Sequence, residues 1–190
     1  MYVFRDKRVQ VPVDNLINLF DLQENYKTSD RITIREIMPC DKEILLSWVR
    51  SRSAMKLVSS DKSDCLTIEI LDTWLIHSKH NFLAYDTVNH RPVGFCTLST
   101  EENAQIPTGY IELCHLIVDP RKMYFFVGAL LCKDAKRVSS QMGYKAIYGR
   151  VVPSNRYGLA LASHESFAEC TSEHSGLVAG FRWFVYSMYN

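Results

Sequence analysis

The sequence predicts an α+β domain, a mixed and mostly antiparallel central sheet with helices on both faces. Three observations carry this expectation. Two β-prone runs, 82–88 and 92–100, stand close enough to pair as an antiparallel hairpin. A third run, Tyr110-Ile-Glu-Leu-Cys-His-Leu-Ile-Val118, is apolar enough for a central strand, turns at Asp119-Pro120 and enters a long helical pattern that stops at Gly143. A strand over 145–152, a helix over 155–167 and a strand over 178–188 then complete a strand-helix-strand unit.

In chain order, Met1 to Val13 alternates loosely and contains Pro12, which suits an edge strand or an arm. Asp14 can cap a short helix with Leu16, Ile17, Leu19, Phe20 and Leu22 on one face, and Asn25 to Asp30 reads as a linker. Residues 1–30 are therefore expected to form an arm and short helix that packs on the main domain, 31–190, or on a second chain, because so short a helix is marginal alone. Ile32-Thr-Ile-Arg-Glu-Ile-Met38 alternates cleanly as the first core strand. Asp41 can cap a helix through about Arg52, with Ile44, Leu45, Trp48 and Val49 inward. Residues 53–65, rich in Ser, Asp and Lys, read as a surface loop. A second helix, Thr67 to Lys79, carries Ile68, Leu71, Trp74 and Leu75. In the long helix before Gly143, Phe126, Leu130, Lys133 or Asp134 and Arg137 or Val138 recur at helical spacing. Phe181 to Met188 is aromatic-rich, a closing strand or the surface of a homodimer.

Composition bounds the function. With 190 residues, 47% hydrophobic and 23% charged, the chain can build one domain with a sizeable core. A net charge of +1 with scattered basic residues argues against a nucleic-acid surface, which needs clustered Lys and Arg. No run of about 18 apolar residues spans a bilayer and no N-terminal signal pattern appears, so a cytoplasmic protein without membrane contact is expected. The six cysteines show neither a C-x-x-C pair nor zinc spacing, and read as reduced, mostly buried thiols with no metal site.

A strand leading through a tight turn into a helix brings unpaired N–H groups and the positive end of a helix dipole to one spot, which suits a phosphate-bearing cofactor. Val118-Asp-Pro120 followed by Val127-Gly-Ala-Leu-Leu131 resembles the strand-loop-helix core of the GNAT acyltransferase superfamily. Two further segments match in the same order. Phe82 to Leu98 is similar to the hairpin whose second strand begins with a Val-Gly pair, and Val151-Val-Pro-Ser-Asn155 with the helical run to Ser166-Phe167 is similar to the family's later strand, asparagine and helix. The resemblance covers roughly residues 32–190 and implies acetyl-CoA or another acyl-CoA as donor. It implies that Leu116, Ile117 and Val118 meet the pantetheine arm. Arg121, Lys122, Met123, Phe126, Val127, Gly128 and Ala129 would surround the pyrophosphate, and Asn155 would complete the cofactor site.

This chain also departs from the pattern. Of the loop's Arg/Gln, Gly and Gly/Ala positions, which fall on Met123, Phe126 and Gly128, only Gly128 agrees. Phe126 either points away or narrows the site; Arg121 or Lys122 could supply the charge that Met123 lacks. The family's frequent helix tyrosine falls on Ala162.

Acyl transfer to an amine requires removal of the amine proton, stabilisation of an oxyanion and a proton for the leaving thiolate. Glu112, at a position where some family members carry a catalytic glutamate, is the first candidate base, its carboxyl desolvated between Ile111 and Leu113; the other reading pairs it structurally with an Arg or Lys. His115 is either a second base or a hydrogen-bonded core histidine. Strand alternation places it opposite Glu112 unless a bulge intervenes, as it does in the family. His164 or Tyr157 could donate a proton in place of the missing tyrosine, or be exposed helix residues. Trp48, Trp74 and His77, in the region that varies with substrate, are candidates for acceptor contact, the tryptophans alternatively for helix packing. The resemblance therefore implies transfer of an acetyl or other acyl group from a CoA thioester to a small-molecule or protein amine. The alternatives are an acyl carrier protein as donor, or a GNAT-like module that binds without catalysis.

Overall fold

The computed structural model describes residues 31–59, 62–100, 108–121, 125–170 and 181–188. The arm and helix expected over 1–30 lie outside them. Seven strands form one sheet: β1 (Ile32–Arg35), β2 (Ser78–Asp86), β3 (Arg91–Ser99), β4 (Tyr110–Val118), β5 (Ala146–Val151), β6 (Ala168–Glu169) and β7 (Arg182–Ser187), in the order β1-β2-β3-β4-β5-β7-β6. All neighbours are antiparallel except β4 and β5. Among the described residues five α-helices cover the sheet: α1 (Lys42–Leu46), α2 (Arg52–Val58) and α3 (Ile68–His77) pack on one face, α4 (Phe125–Gln141) and α5 (Arg156–His164) on the other. The mixed sheet with helices on both faces is the architecture expected from the sequence.

Two cores result. Between the sheet and α4–α5, Phe82, Val93, Ile111, Val127, Leu131, Ile147 and Leu159 are buried together. On the opposite face Leu45, Met55, Leu71 and Trp74 close over Leu83, Phe95 and Ile117. Each fully buried side chain of this kind contributes about 1.5–3 kcal/mol of transfer free energy. Gly94 sets the spacing of α4, since a Cβ there would lie 2.6 Å from Val127 Cγ1 and 3.0 Å from Leu131 Cδ1.

Several boundaries differ from expectation. The first strand ends at Arg35, not Met38, because Asp41 gathers the chain: it accepts from both Arg35 guanidinium nitrogens at 2.7 and 2.8 Å and from the Met38 N–H at 2.7 Å. The helix expected from Asp41 to Arg52 stops at Leu46, where the Ser47 hydroxyl donates to the Ile44 carbonyl at 2.6 Å. A separate helix, α2, starts behind the Ser51 cap, whose Oγ accepts the Ala54 N–H at 3.2 Å. The expected loop over 53–65 therefore contains a helix that turns Ala54, Met55 and Val58 inward. Ile68, expected in the apolar face of α3, stays exposed. β2 begins at Ser78 and ends at Asp86, whose Oδ1 accepts the Val88 and Asn89 N–H groups and turns the chain early. The pair β6 was not expected, and residues 178–180 of the last expected strand lie outside the described ones. All six thiols are free, with Cys96, Cys114 and Cys132 buried.

Candidate active site

The parallel pair β4–β5 is registered from Tyr110↔Ala146 to Leu113↔Gly149 and no further, although β4 runs on to Val118. The two strands splay at Cys114. On its other side β4 carries a bulge, for Cys114 opposes Thr97 and Ile117 opposes Phe95, so three steps along β4 match two along β3. The extra residue sits at His115, held at φ +52°. A left-handed histidine costs about 1–3 kcal/mol, which surrounding contacts must offset. Thr97 Oγ1 lies 2.9 Å from His115 Nδ1, and the Trp74 indole stacks on the imidazole, centroids 3.8 Å apart and planes 11° from parallel.

The bulge changes which side chains meet. Leu113 and Leu116, three residues apart, both pack on the core beneath α4 and α5, while Ile117 joins the core beneath α1–α3. Glu112, alternating with Ile111, and His115, stacked on Trp74, therefore share the α1–α3 face. The Glu112 side chain is buried and forms an ion pair with Arg150 of β5, whose guanidinium also lies over the rings of Phe181 and Trp183 at 5.6 and 5.5 Å. Burial, assisted by the Arg150 charge, lowers the His115 pKa to about 3. The imidazole is thus neutral near pH 7 and a weak proton acceptor there.

A cavity of about 420 Å³ occupies the splay and connects the two faces of the sheet. Its walls include Glu112 to Pro120, then Gly128, Asn155 and Ala162 on the α4–α5 side, and Trp48 and Val58 on the other. Past Leu113 the open edge of β4 borders this cavity instead of a strand, so its backbone polar groups can pair with an extended ligand.

No family model and no curated protein matches the sequence. Solved structures do match. The spermidine N-acetyltransferase of Vibrio cholerae, solved with CoA and spermine, is similar over 84% of this chain and 96% of its own, with a TM-score of 0.63 and 17% identity. An N-acetyltransferase of Staphylococcus aureus Mu50 is similar over 83% and 98% at a TM-score of 0.63 and 16% identity. The PaiA N-acetyltransferase of Thermoplasma acidophilum, solved with coenzyme A, is similar over 82% and 98% at 0.60 and 16%. The chain has the GNAT fold. At these identities the likeness is one of architecture, and the chemistry rests on the residues.

Within the GNAT fold, Leu116, Ile117 and Val118 line the cavity, as do Gly128 and Asn155. A Cβ on Gly128 would stand 2.9 Å from Leu161 Cδ2. Asn155 caps α5, its Oδ1 accepting the Gly158 N–H at 2.9 Å. Val127 is fully buried in the core and Ala129 half-buried on α4; neither lines the cavity. Phe126 packs against the core beneath α4, away from the cavity wall, so its ring does not narrow the site. Arg121 folds back on Asp119, its Nε and Nη2 3.0 and 3.2 Å from the carboxylate. Burial works to raise the Asp119 pKa, but the hydrogen bonds from Arg121 and the charges of Arg121 and Arg91 hold it below the usual carboxylate range. Lys122 and Met123 lie outside the described residues.

The remaining candidates separate. Trp48 lines the cavity, whereas Trp74 lies behind His115 and His77 is exposed at the end of α3, neither on the wall. His164 is also off the wall: Nδ1 is 3.0 Å from Glu165 Oε1, and Lys136 holds the other carboxylate oxygen at 3.0 Å. His164 is the last residue of the nine-residue α5, two residues past Ala162 on the wall, with its ring turned to Glu165. Tyr157, on the first turn of α5, does line the cavity and is 54% exposed. Ala162 leaves a methyl group on the wall near Cys132, whose thiol burial pushes up to about 12. Arg150 and Thr97 were not singled out in the sequence. A lone arginine between Gly149 and Val151, on the strand following the one that carries Glu112, was the available signal.

Proposed function

We propose that the protein transfers an acyl group from a CoA thioester to an amine. The observation that supports this best is the cavity through the β4–β5 splay, which gives a donor on the α4–α5 side and an acceptor on the α1–α3 side one meeting point. The donor side fits a pantetheine arm: an open backbone edge from Cys114 to Val118, and at Gly128 a wall on which a side chain would collide with Leu161. CoA, when bound, supplies the acyl thioester.

In the transfer an N–C bond forms, the C–S bond breaks, and one proton moves from the amine nitrogen to the thiolate. Glu112 is the residue assigned to take that proton, directly or through water. Its carboxylate borders the cavity and shares a face with the acceptor side. Arg150 pairs with that carboxylate, so taking up the proton requires the ion pair to loosen. His115 acts as a neutral group that fixes the bulge, and Tyr157 is the wall tyrosine assigned to the leaving thiolate. The six free thiols support the expected cytoplasmic setting.

The missing tyrosine at Ala162 and the paired state of Glu112 favour one other reading, a GNAT fold that binds CoA without transferring its acyl group. Calorimetry with acetyl-CoA, longer acyl-CoAs and free CoA, followed by assay of thiol release with an amine, tests both. Binding with turnover is expected. Binding without turnover under any amine supports the second reading, and no heat at millimolar ligand overturns both.

A further inference from the structure

Among the described residues, the acceptor end of the cavity carries little uncompensated charge. On the α1–α3 side its wall includes Trp48, Val49, Ala54, Leu57 and Val58, with Ser59 as a polar but uncharged neighbour, and Phe181 is also on the wall. Among the described residues, the charged groups on the wall are Glu112, Asp119 and Arg150. Each carboxylate is already matched, Glu112 by Arg150, and Asp119 by Arg121 at 3.0 Å with Arg91 at 3.8 Å. A ligand bearing several ammonium groups would leave water here without gaining a counter-ion, and an unpaired buried charge is costly. One amine on an apolar body meets no such penalty, because the reacting nitrogen must lose its charge in any case. Apolar surroundings, with Arg150 close by, disfavour the ammonium form and deliver the neutral nucleophile.

We infer that the acceptor is a hydrophobic monoamine, a single primary amine on an uncharged alkyl or aryl body seated between α2 and the β5–β7 edge. This inference rests on the acyltransferase reading and narrows it to a substrate class. The exposed Leu57, 43% accessible at the rim, marks where the body emerges toward solvent.

The test uses the full chain with acetyl-CoA and compares 2-phenylethylamine and hexylamine with putrescine and spermidine, following thiol release. The monoamines are expected to show kcat/KM at least about 10-fold above the polyamines, the scale on which pockets discriminate by apolar fit. Leu57→Asp, a change at an exposed position that the fold tolerates, places an unmatched carboxylate on the rim and should raise the spermidine-to-phenylethylamine ratio by about 10-fold. Spermidine used as well as or better than the monoamines overturns the inference, as does a ratio unmoved by Leu57→Asp. If acetyl-CoA binds but no amine of the panel is acylated, the inference falls while the donor site stands. If acetyl-CoA itself gives no heat, the acyltransferase reading falls and takes the inference with it.

Discussion

His115→Asn should make the protein less sensitive to mild acid. Asparagine is among the residues that tolerate a left-handed backbone, as φ +52° requires, and its amide can still reach Thr97. In the native state the imidazole pKa is lowered from 6.5 to about 3, by burial first and by the Arg150 charge second. Between those two values the unfolded chain binds a proton on His115 that the native chain does not, so stability falls as pH falls. The contribution is fully present above pH 6.5, and lowering the pH from 7 to 5 should remove about 2 kcal/mol through this one residue. Carboxylates such as Asp119 titrate in both proteins and cancel in the comparison. Urea unfolding of wild type and His115→Asn at pH 7, 6 and 5 measures the difference. The variant should start less stable at pH 7, having lost the Trp74 stack, and should then lose about 2 kcal/mol less than wild type by pH 5. Parallel losses in the two proteins would refute the claim that His115 is held neutral by its surroundings.

Glu112→Gln, which keeps shape but cannot take a proton, should lower turnover by about 10²–10⁴-fold with CoA affinity nearly intact, and full turnover in the variant would remove Glu112 from the chemistry. Arg150→Met strands the buried Glu112 carboxylate and should cost about 3–5 kcal/mol in urea unfolding; the double variant Arg150→Met with Glu112→Leu should recover much of that loss. Phe126→Gly should destabilise by about 2 kcal/mol or more, from helix propensity and the lost ring contacts with the core, without tightening CoA binding in calorimetry. Tighter binding would show that the ring does obstruct the loop.

Apart from α2 and β6, the order of strands and helices from Ile32 onward was legible because hydrophobic period and end signals are local properties. The alternating runs and Gly143 as a stop need only a few neighbours to declare themselves. Leu116 to Val118 and Gly128, which the resemblance singles out, line the cavity. Where Ser47 and Ser51 break one helix and start another, the signal was local too, but the polar composition of 53–65 masked the inward face of Ala54, Met55 and Val58.

How the site's groups are paired and protonated was decided by tertiary structure. Alternation separates Glu112 from His115, and only the bulge against β3 puts both on one face; no one-strand pattern encodes a residue that the neighbouring strand leaves unmatched. For Glu112 the sequence left a base and an ion pair with some Arg or Lys both open; the fold supplies the partner, Arg150 of β5, 38 positions later. Between a base and a hydrogen-bonded core histidine, the two readings His115 allowed, the contacts of Trp74, Thr97 and Arg150 decide for the second. A residue's protonation depends on charges and solvent within a few ångströms, and in this fold those neighbours come from three other elements.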